Sequence, residues 1–554
     1  MKVRRETLVH LPAALAAAGV ALVVVQWAMG RPLWLDEEFL AVSLRDRGIR
    51  DYFEPLWLGQ TAPFGWLVLQ RLAVLVFGAG ERAVRLVPML FGVATIGAAV
   101  WIGRRWMTIA AASLLVLLCG YAQWLTYHFF EMKPYSADVF LALLVPAVAA
   151  WALETSRPAV FWIVAAVAEW FANGALYVTP LCALFVAAIL MRREGWQSAF
   201  RFSLVGIVWL GSFASNYLLV LRHAASYAFF YRFWSSAFPP PSAGIADTAR
   251  WFLVQFTGFG VKPGSASFGS SLWLAAAAGF VAGAAAGRPL AWCFATVPFA
   301  AILLTALRLV PFFERITLWL VPALYVGVAL LADAAWSALH GRGELVEPRA
   351  QTRPSTTSGR AVRPVAILAF LAATLISVDI AVRGAQDGVL RARSATDNHG
   401  LDDRAAVRWL KAQERPGDVW VTTHYGVPAI WWYAGIRDER IVEVAHQPEG
   451  PECRTDALNA ALGDAPRVLL YLGFRPDDVP PGFDDLLVGR LTQLGSITGY
   501  RPFAAVSQAL VIDRRAPSVA PAKLSQLDPR IAVPSHDAGG CFRVRIAEIP
   551  TYVQ

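Results

Sequence analysis

The sequence predicts a mainly α-helical, polytopic membrane protein with about eleven transmembrane helices, followed by a small α/β or α+β domain outside the cytoplasm. Composition is the first reason: 57% of the 554 residues are hydrophobic and 16% are charged, whereas soluble domains carry about 25% charged residues. The second reason is that the apolar residues form separate runs, most of them close to the roughly 20 residues that cross a bilayer. The third is that the chain after residue 384 returns to an ordinary soluble composition.

Positively charged residues orient these runs, because Lys and Arg accumulate in cytoplasmic loops. The basic segment Met1–Arg5 therefore predicts a cytoplasmic N-terminus, with the first span at about 8–29 leading outward. This span is expected to be retained, since the run is long and ends in Gly30–Trp34 rather than in a small-residue cleavage site. The apolar stretch 63–77 is predicted to lie on the outer surface as an interfacial helix, because counting it as a span would place Arg104–Arg105 outside.

The remaining spans alternate across the bilayer. They are predicted at about 84–103, 107–126, 137–153, 158–172, 175–191, 202–221, 271–287, 289–307, 316–333 and 364–382. The predicted parts are a transmembrane module at 1–335, a flexible basic cytoplasmic linker at 336–363, a last span at 364–383 and a periplasmic domain at 384–554. The predicted location is a bacterial inner membrane.

The C-terminal region has mixed secondary-structure signals. Short β-like runs at 418–423 and 467–472 alternate with helix-like stretches such as Arg404–Gln413, which predicts an α/β or α+β domain. Cys453 and Cys541 both lie in this region, and an oxidising compartment would allow them to form a disulfide. The other three cysteines lie in apolar runs and are interpreted as inert.

The formal net charge of +9 does not indicate nucleic-acid binding. The arginines are scattered between apolar runs and form no single basic stripe. They are interpreted as topology signals, and no nucleic-acid partner is predicted.

Three acidic residues, Asp36, Glu37 and Glu38, directly follow the first span. Carboxylates at a membrane boundary are costly to hold near hydrocarbon, so they indicate either a functional site or a solvated loop. The predicted topology places them on the same outer side as the segment Glu131–Asp138, an aromatic, proline-rich loop at 222–268 and the turn Arg308–Arg315. We therefore predict that ionisable residues from several segments converge at the outer face.

The segment from Glu131 to Asp138 has helical spacing. Glu131, Tyr135 and Asp138 share one face by their i, i+4, i+7 positions, and Pro134 suits the first turn of a helix. Residues that snorkel to the interface are the alternative. Asp138 lies inside an apolar run, so its carboxylate is predicted to need a partner.

Basic residues near these segments are candidates for neutralising a phosphate, a role that suits arginine especially well. The candidates are Lys133, Arg82, Arg85 and Arg315. For Arg315, a structural ion pair with Glu314 is left open as an equal alternative. Glu169, inside a short span, is either functional or paired with another segment.

These motifs carry a family resemblance. The acidic pair, the stretch Gln60–Phe64 and the sequence Gly80–Pro88 are together similar to the GT-C glycosyltransferases, and Glu131–Asp138 looks like their outer motif at the start of the fourth span. The chain most resembles the protein O-mannosyltransferase and lipid A aminoarabinose transferase family (glycosyltransferase family 39-like). The resemblance covers roughly residues 1–335 and is specific to the superfamily, not to a substrate.

The resemblance implies a GT-C-like fold and transfer of a sugar from a polyprenyl phosphate to an acceptor glycan, lipid or protein. Asp36 would match the catalytic acid and act as general base, with Glu37 shaping the site. Relatives often carry His-Pro-Pro or Lys-Pro where this chain has Thr61–Pro63, so Gln60 is the weaker substitute for a phosphate ligand. Some relatives bind a metal at the first-loop acids. No His/Asp cluster makes a metal compelling here, so no cofactor is predicted and a divalent ion is left open.

General chemical principles agree with the sugar transfer that the resemblance implies. Sugar transfer needs a base at the attacking group and cations over the leaving phosphate, and a lipid tail between spans would explain the aromatic excess. Two alternatives remain. A transporter or flippase of a lipid-linked glycan would keep ionisable residues near mid-membrane, often in two related broken helices. This chain keeps most of them at one face, with Glu169 an exception, and shows no convincing pair of repeats. A non-catalytic envelope assembly protein would bind a cell-wall partner through its external domain.

Overall fold

The computed structural model describes residues 10–225, 228–340, 359–396, 398–437, 440–451, 453–454, 456–476, 479–516, 521–528, 530–531 and 539–547. The chain divides into two compact units. Unit 1 comprises Met1–Ala28, Ile49–Glu54 and Thr61–Arg393, and unit 2 comprises Met29–Gly48, Pro55–Gln60 and Ser394–Gln554. Nearly half of the loop between the first two predicted spans, including Asp36 and Glu37, thus folds with the C-terminal residues.

Helices make up most of the described chain. Those of ten residues or more are α1 (Leu11–Ala28), α2 (Leu35–Asp46), α3 (Phe64–Phe77), α4 (Leu86–Trp106), α5 (Ile109–Tyr121), α6 (Tyr135–Glu154), α7 (Ala159–Ala168), α8 (Asn173–Glu194), α9 (Trp196–Val205), α10 (Ile207–Asn216), α11 (Ile245–Val261), α12 (Gly269–Ala285), α13 (Pro289–Ala306), α14 (Val321–His340), α15 (Gly359–Arg391), α16 (Asp403–Gln413) and α17 (Phe483–Leu494). Shorter helices include Glu81–Val84, Gln123–His128, Ala457–Leu462 and the 3-10 turn Glu314–Leu320.

Eight helices in the described part of the chain are long and apolar enough to span a bilayer. They are Leu11–Ala28, Leu86–Trp106, Tyr135–Glu154, Asn173–Glu194, Trp196–Leu221, Pro289–Ala306, Glu314–His340 and Arg363–Arg391. The shorter apolar helices α5, α7 and α12 occupy the other predicted spans, and α3 occupies the predicted interfacial position. The predicted mainly α-helical membrane fold is confirmed.

Proline, glycine and basic residues mark the ends of these helices. Pro134 is the residue before α6 and Pro289 opens α13, where a missing N–H costs no hydrogen bond. Gly195 separates α8 from α9 with φ 93°, a backbone conformation that glycine adopts without a steric penalty. Arg104 and Arg105 lie in the last turn of α4, where a positive charge complements the helix dipole.

Two features of unit 1 differ from the sequence expectation. Residues 222–268 were expected to be an aromatic, proline-rich loop, but Ile245–Val261 within them forms the 17-residue helix α11. At the predicted linker, α14 continues through His340 and α15 begins at Gly359. The rest of the linker prediction, residues 341–358, lies outside the described residues.

The strands of the described chain form a mixed sheet in unit 2. They are β1 (Val419–Thr423), β2 (Ile441–Gln447), β3 (Arg467–Leu472), β4 (Ser496–Phe503), β5 (Ser507–Asp513) and β6 (Cys541–Ile546), in the order β4-β5-β3-β1-β2-β6. The central pairs, β1 with β2 and β1 with β3, are parallel, whereas the outer pairs are antiparallel. A parallel centre joined by helical connections makes this part α/β.

Alternating side chains of the strands build two cores, one on each face of the sheet. On β1, Trp420 joins the core that includes α16, while the next residue, Val421, joins the core that includes α17. Both side chains are fully buried. This period-two pattern follows from the pleat of a strand, and helices on both faces explain why the central strands are apolar on both sides.

The acid-bearing helix α2 is built into unit 2. Val42 contributes to the core on the α16 face, and Arg45 donates hydrogen bonds to the carbonyls of Trp431 and Trp432 at 2.9 and 2.8 Å. Just before the helix, the Leu33 N–H donates to the Tyr433 hydroxyl at 2.9 Å. These contacts fix the direction in which α2 carries its acidic first turn.

A disulfide joins Cys453, in the segment after β2, to Cys541 at the start of β6, with 5.6 Å between the Cα atoms. The bond closes a loop with a sequence separation of 88 residues. Because β6 is an edge strand of the sheet, the bond ties that edge to the segment following its neighbour.

Candidate functional site

The first turn of α2 carries three acids in three different settings. Glu37 is 1% exposed, and its Oε2 accepts the backbone N–H of Trp34 at 2.7 Å. Glu38 is fully buried. Burial raises the pKa of Tyr471, and the negative charges of Asp403 and then Glu38 raise it further. Asp36 alone is partly exposed. Glu37 therefore caps its own helix, and Asp36 is the acid of this turn that can meet a ligand.

Gln60 is the other predicted site residue in the first loop, and it also belongs to unit 2. Its side-chain nitrogen donates to the carbonyl of Leu58 at 3.2 Å. The amide is therefore turned towards its own 3-10 turn, Trp57–Gly59.

A buried charge cluster lies in unit 1 between the short helix Gln123–His128 and α6. His128 is hydrogen-bonded through Nδ1 to Oε2 of Glu131, and both residues are 3% exposed. Burial raises the pKa of Glu131, but His128, Arg315 and Lys133 outweigh it and hold that pKa below its usual range. Glu131 is therefore ionised at neutral pH inside a group of basic residues, which we call the Glu131 cluster (His128, Glu131, Lys133 and Arg315).

His128 is the member of the Glu131 cluster that sequence reasoning missed. Its Nε2 is buried and has no hydrogen-bond partner among the described residues. The rings of Trp124, Tyr127 and Tyr135 surround the imidazole, with centroids 5.6, 5.0 and 5.1 Å away. The signal that points to it is the His-x-x-Glu spacing inside an apolar stretch, since residues three apart meet on a helical turn.

Tyr135 and Asp138 both lie in the first turn of α6 but contact different partners. Tyr135 contacts the cluster through the His128 ring. Asp138 is buried, and its Oδ1 accepts the backbone N–H of Gly174 at 2.8 Å. Because Gly174 lies in the first turn of α8, where backbone N–H groups lack helical partners, Asp138 caps that helix. This hydrogen bond is the partner that the sequence required for Asp138.

The two predicted arginines before α4 are placed differently from the cluster. Arg82 donates from Nε to the carbonyl of Ala28 at 2.8 Å, and Trp27 donates from Nε1 to the carbonyl of Arg82 at 2.8 Å. Arg82 thereby fastens the end of α1. Arg85 is 3% exposed and immediately precedes α4.

A cavity of about 350 Å³ lies in unit 1. It is lined by Gln255, Gly258, Phe259, Val261, Lys262, Phe312, Phe313 and Glu314. One of its lining residues, Glu314, directly precedes Arg315 in the chain. The Phe259 and Phe312 rings are in contact, with centroids 5.2 Å apart. Most of the wall is apolar, and Lys262 and Glu314 add one charge of each sign.

A metal at the first-loop acids is not supported by the donor set. Glu37 is engaged with the Trp34 N–H, and no three His, Cys, Asp or Glu side chains among the described residues are grouped as metal ligands.

Comparisons with known proteins identify the fold. No family model matches the chain, and no curated protein matches it. The crystal structure of ArnT from Cupriavidus metallidurans bound to undecaprenyl phosphate matches with a TM-score of 0.52 and 14% identity, covering 90% of this chain and 97% of that chain. ArnT from Cupriavidus metallidurans in the apo state matches with a TM-score of 0.50, the same identity and the same coverage. The expected likeness to lipid A aminoarabinose transferases is confirmed for the fold.

Proposed function

We propose that this protein is a membrane glycosyltransferase that moves a sugar from a polyprenyl-phosphate donor to a hydroxyl or amine of an acceptor glycan, lipid or protein. The observation that carries the proposal is the Glu131 cluster, in which Lys133 and Arg315 act on one buried carboxylate. Fixed cations suit a phosphate, and the carboxylate offsets their repulsion before the donor binds. The shared fold with ArnT, whose crystal structure holds undecaprenyl phosphate, supports the same class.

Each member of the cluster has a distinct role in donor binding. Lys133 and Arg315 bind the phosphate oxygens and stabilise the charge that develops on them as the sugar leaves. Glu131, being an ionised acceptor, requires a proton on Nδ1 of His128. Nε2 of His128, which has no hydrogen-bond partner among the described residues, forms a hydrogen bond with a hydroxyl of the donor sugar.

Asp36 is proposed as the general base. Its carboxylate takes the proton of the acceptor hydroxyl or amine, whose lone pair attacks the anomeric carbon of the donor sugar. The bond from that carbon to the phosphate oxygen breaks, and its electron pair leaves with the polyprenyl phosphate, so the anomeric configuration inverts. A positioned base contributes about 10²–10⁴-fold. Among the first-turn acids Asp36 is chosen because Glu37 and Glu38 are buried.

The polyprenyl chain is assigned to the cavity lined by α11 and the segment Phe312–Glu314. Its aromatic wall suits an isoprenoid, and burying apolar surface contributes about 25 cal/mol per Å². Lys262 at this cavity provides a further cation for the phosphate end of the chain. The eight spanning helices make the chain a multi-pass membrane protein by length and composition. The N-terminus is proposed to be cytoplasmic and the C-terminal domain periplasmic.

The proposal is tested with the full-length protein in lipid nanodiscs. Labelled polyprenyl-phosphate hexose, aminohexose and pentose are supplied in turn, with membranes from a deletion strain as the acceptor pool. Asp36→Asn is expected to lower transfer at least 100-fold, whereas the exposed control Glu449→Gln leaves transfer unchanged. Absence of transfer from all three donors would refute the function, and full activity of Asp36→Asn would refute the role of that residue.

A transporter or flippase is the second candidate, because Glu169 is a buried carboxylate between helices of unit 1. Glu169 is 1% exposed, and its backbone carbonyl accepts a hydrogen bond from Asn216 at 3.1 Å. The same nanodisc protein, reconstituted into liposomes, discriminates the two functions. Movement of a labelled lipid-linked sugar across the bilayer without transfer, abolished by Glu169→Gln, would favour transport.

A further inference from the structure

In the sheet of unit 2, the connections that follow two neighbouring parallel strands run to opposite faces of the sheet. β1 and β3 are adjacent and parallel. The chain leaves β1 through residues 424–434, which join the core on the α16 face, and leaves β3 towards α17 on the opposite face. Where the connections of neighbouring strands diverge in this way, open α/β sheets bind their ligands.

Helix α2 brings the proposed base to the carboxyl ends of these two strands. Phe39 contacts the rings of His424 and Tyr425, which directly follow β1, with centroids 6.0 and 6.4 Å apart. Trp34 contacts Phe474, which follows β3, at 5.4 Å. Asp36 lies between Trp34 and Phe39 in sequence, so the first turn of α2 is held at the point where the two strands end.

Around that turn the aromatic side chains form a continuous set, which we call the ring arc (His399, Trp34, Phe474, Tyr425 and His424). Trp34 lies 4.9 Å from His399, Phe474 lies 5.6 Å from Tyr425, and Tyr425 lies 5.4 Å from His424, between ring centroids. None of the five is buried. The contacts within the ring arc are edge-on, with interplanar angles of 64–81°. Because each of the five side chains keeps some exposed surface, a ligand can reach the ring arc from solvent.

The charges beside the ring arc are paired. Arg475, next to Phe474, forms an ion pair with Asp484. Beyond His424, Arg545 contacts Glu443 at 2.7 Å. A cation that is paired one-to-one with a carboxylate attracts a phosphate weakly. The ring arc is therefore suited to a ligand that binds through an uncharged surface with hydroxyls at its edge.

We propose that the ring arc is the acceptor subsite and that it binds a pyranose ring of the acceptor, a proposal that rests on the proposed function. The C–H face of a pyranose stacks on aromatic faces, while its equatorial hydroxyls remain at the ring edge. Stacking next to the first turn of α2 presents such a hydroxyl, or an amine in its place, to Asp36. A lipid-linked sugar and a soluble glycan share this chemistry, so the same subsite serves either.

The experiment titrates the acceptor with the full-length protein in nanodiscs at a fixed donor concentration. The probe is a membrane extract of the deletion strain, split into lipid-soluble and water-soluble fractions to distinguish the two sources. Phe474→Ala and Tyr425→Ala are each expected to raise the half-saturating amount of acceptor at least tenfold. The half-saturating amount of donor should not change. Phe474→Tyr, which keeps an aromatic face, should restore acceptor saturation.

Phe503→Ala is the matched control, because Phe503 is a partly buried ring of unit 2 that contacts Trp409 on α16, at 6.4 Å, and lies on the edge strand β4. It should change neither saturation curve. Unchanged acceptor saturation in both ring-arc variants, with an active wild type, overturns this inference alone. Equal changes in donor and acceptor saturation overturn it as well. An inactive wild type overturns the proposed function and this inference with it.

Discussion

The carboxylate of Asp138 and the backbone N–H of Gly174 are joined by a hydrogen bond of 2.8 Å between Oδ1 and nitrogen. The bond links α6 to the first turn of α8, both of which are spanning helices. A buried N–H group without a partner costs about 1–3 kcal/mol, so the carboxylate stabilises the fold whether or not it also contacts substrate.

Two substitutions separate these tasks. Asp138→Asn keeps an acceptor oxygen and is expected to preserve the thermal unfolding temperature, whereas Asp138→Leu leaves the Gly174 N–H unpaired and lowers it, by the equivalent of about 1–3 kcal/mol. Thermal unfolding of the nanodisc protein measures both. If Asp138→Asn is as stable as wild type but inactive, Asp138 has a chemical role beyond its cap.

Gly174 itself predicts a packing effect. A Cβ at this position would lie 2.8 Å from the Cβ of Trp319 and 3.0 Å from the Asp138 carbonyl oxygen, so Gly174→Ala must push α8 away from both neighbours. The expected loss of stability is about 1–3 kcal/mol. Gly97→Ala, in α4 with nothing within 4 Å of its added Cβ, is the control and should be neutral or slightly stabilising through helix propensity. Equal behaviour of the two variants would contradict the close packing.

Lys133 and Arg82 were both predicted as phosphate ligands, and the structure gives them different surroundings. Lys133 acts on Glu131, whereas Arg82 holds the end of α1 through the Ala28 carbonyl. Lys133→Met is therefore expected to raise the half-saturating donor concentration at least tenfold with little change in unfolding temperature. Arg82→Met should lower the unfolding temperature and leave donor saturation unchanged. Donor titration and thermal unfolding of both variants test this difference. If only Arg82→Met raised the half-saturating donor concentration and only Lys133→Met lowered the unfolding temperature, Arg82 would be the phosphate ligand and Lys133 the structural residue.

Local signals explain what the sequence could predict. The spans follow from runs of apolar residues, and the strands β1 and β3 coincide with the β-like runs 418–423 and 467–472 because alternation within one strand is a local property. Pro134 fixed the start of α6 in the same way. The likeness to GT-C transferases was equally local, since it rested on short motifs.

What could not be predicted depends on residues far apart in the chain. Nothing in residues 29–48 reveals that this segment packs with the helical residues 427–434, some 400 positions later, as the Leu33–Tyr433 hydrogen bond shows. The partner of Asp138 is likewise set by the packing of α8, not by its own surroundings in sequence. Helix α11 was missed because the prolines and aromatics around it resemble a loop.

Asp403 predicts a pH dependence of unit 2. The residue is 2% exposed, with Ser507 donating to its Oδ1 at 2.7 Å, and burial raises its pKa from 3.8 to about 6. Between about pH 4 and pH 6 the folded state therefore holds a proton that the unfolded chain has released. Stability from this group falls as pH rises through that window and is constant above it, a difference of roughly 3 kcal/mol for two pKa units.

Asp403→Asn should remove this pH-dependent loss of stability, because an asparagine side chain does not titrate. Hydrogen exchange of β5, which contains Ser507, is measured in the full-length protein at pH 4.5 and 7 and corrected for the intrinsic exchange rate. Wild type is expected to lose more protection than Asp403→Asn between the two values. Other carboxylates also change the stability of unit 2 with pH. Glu443, whose pKa is lowered, contributes with the opposite sign. Because these groups are present in both proteins, subtracting the loss of protection in Asp403→Asn from the loss in wild type removes their contribution. Identical losses of protection in the two proteins would show that Asp403 has the same pKa in the folded and the unfolded chain.

The disulfide between Cys453 and Cys541 predicts three free thiols in the denatured, unreduced protein and five after reduction. A bond that closes a loop of 88 residues restricts the unfolded chain, and the loop-entropy account gives about 4–5 kcal/mol. Cys453→Ser and Cys541→Ser should therefore each destabilise unit 2 and increase hydrogen exchange in the edge strand β6. Because both variants remove the same bond, the double variant should be no less stable than either single one. A further loss in the double variant would mean that the side chains stabilise unit 2 separately and that the cross-link is not the cause.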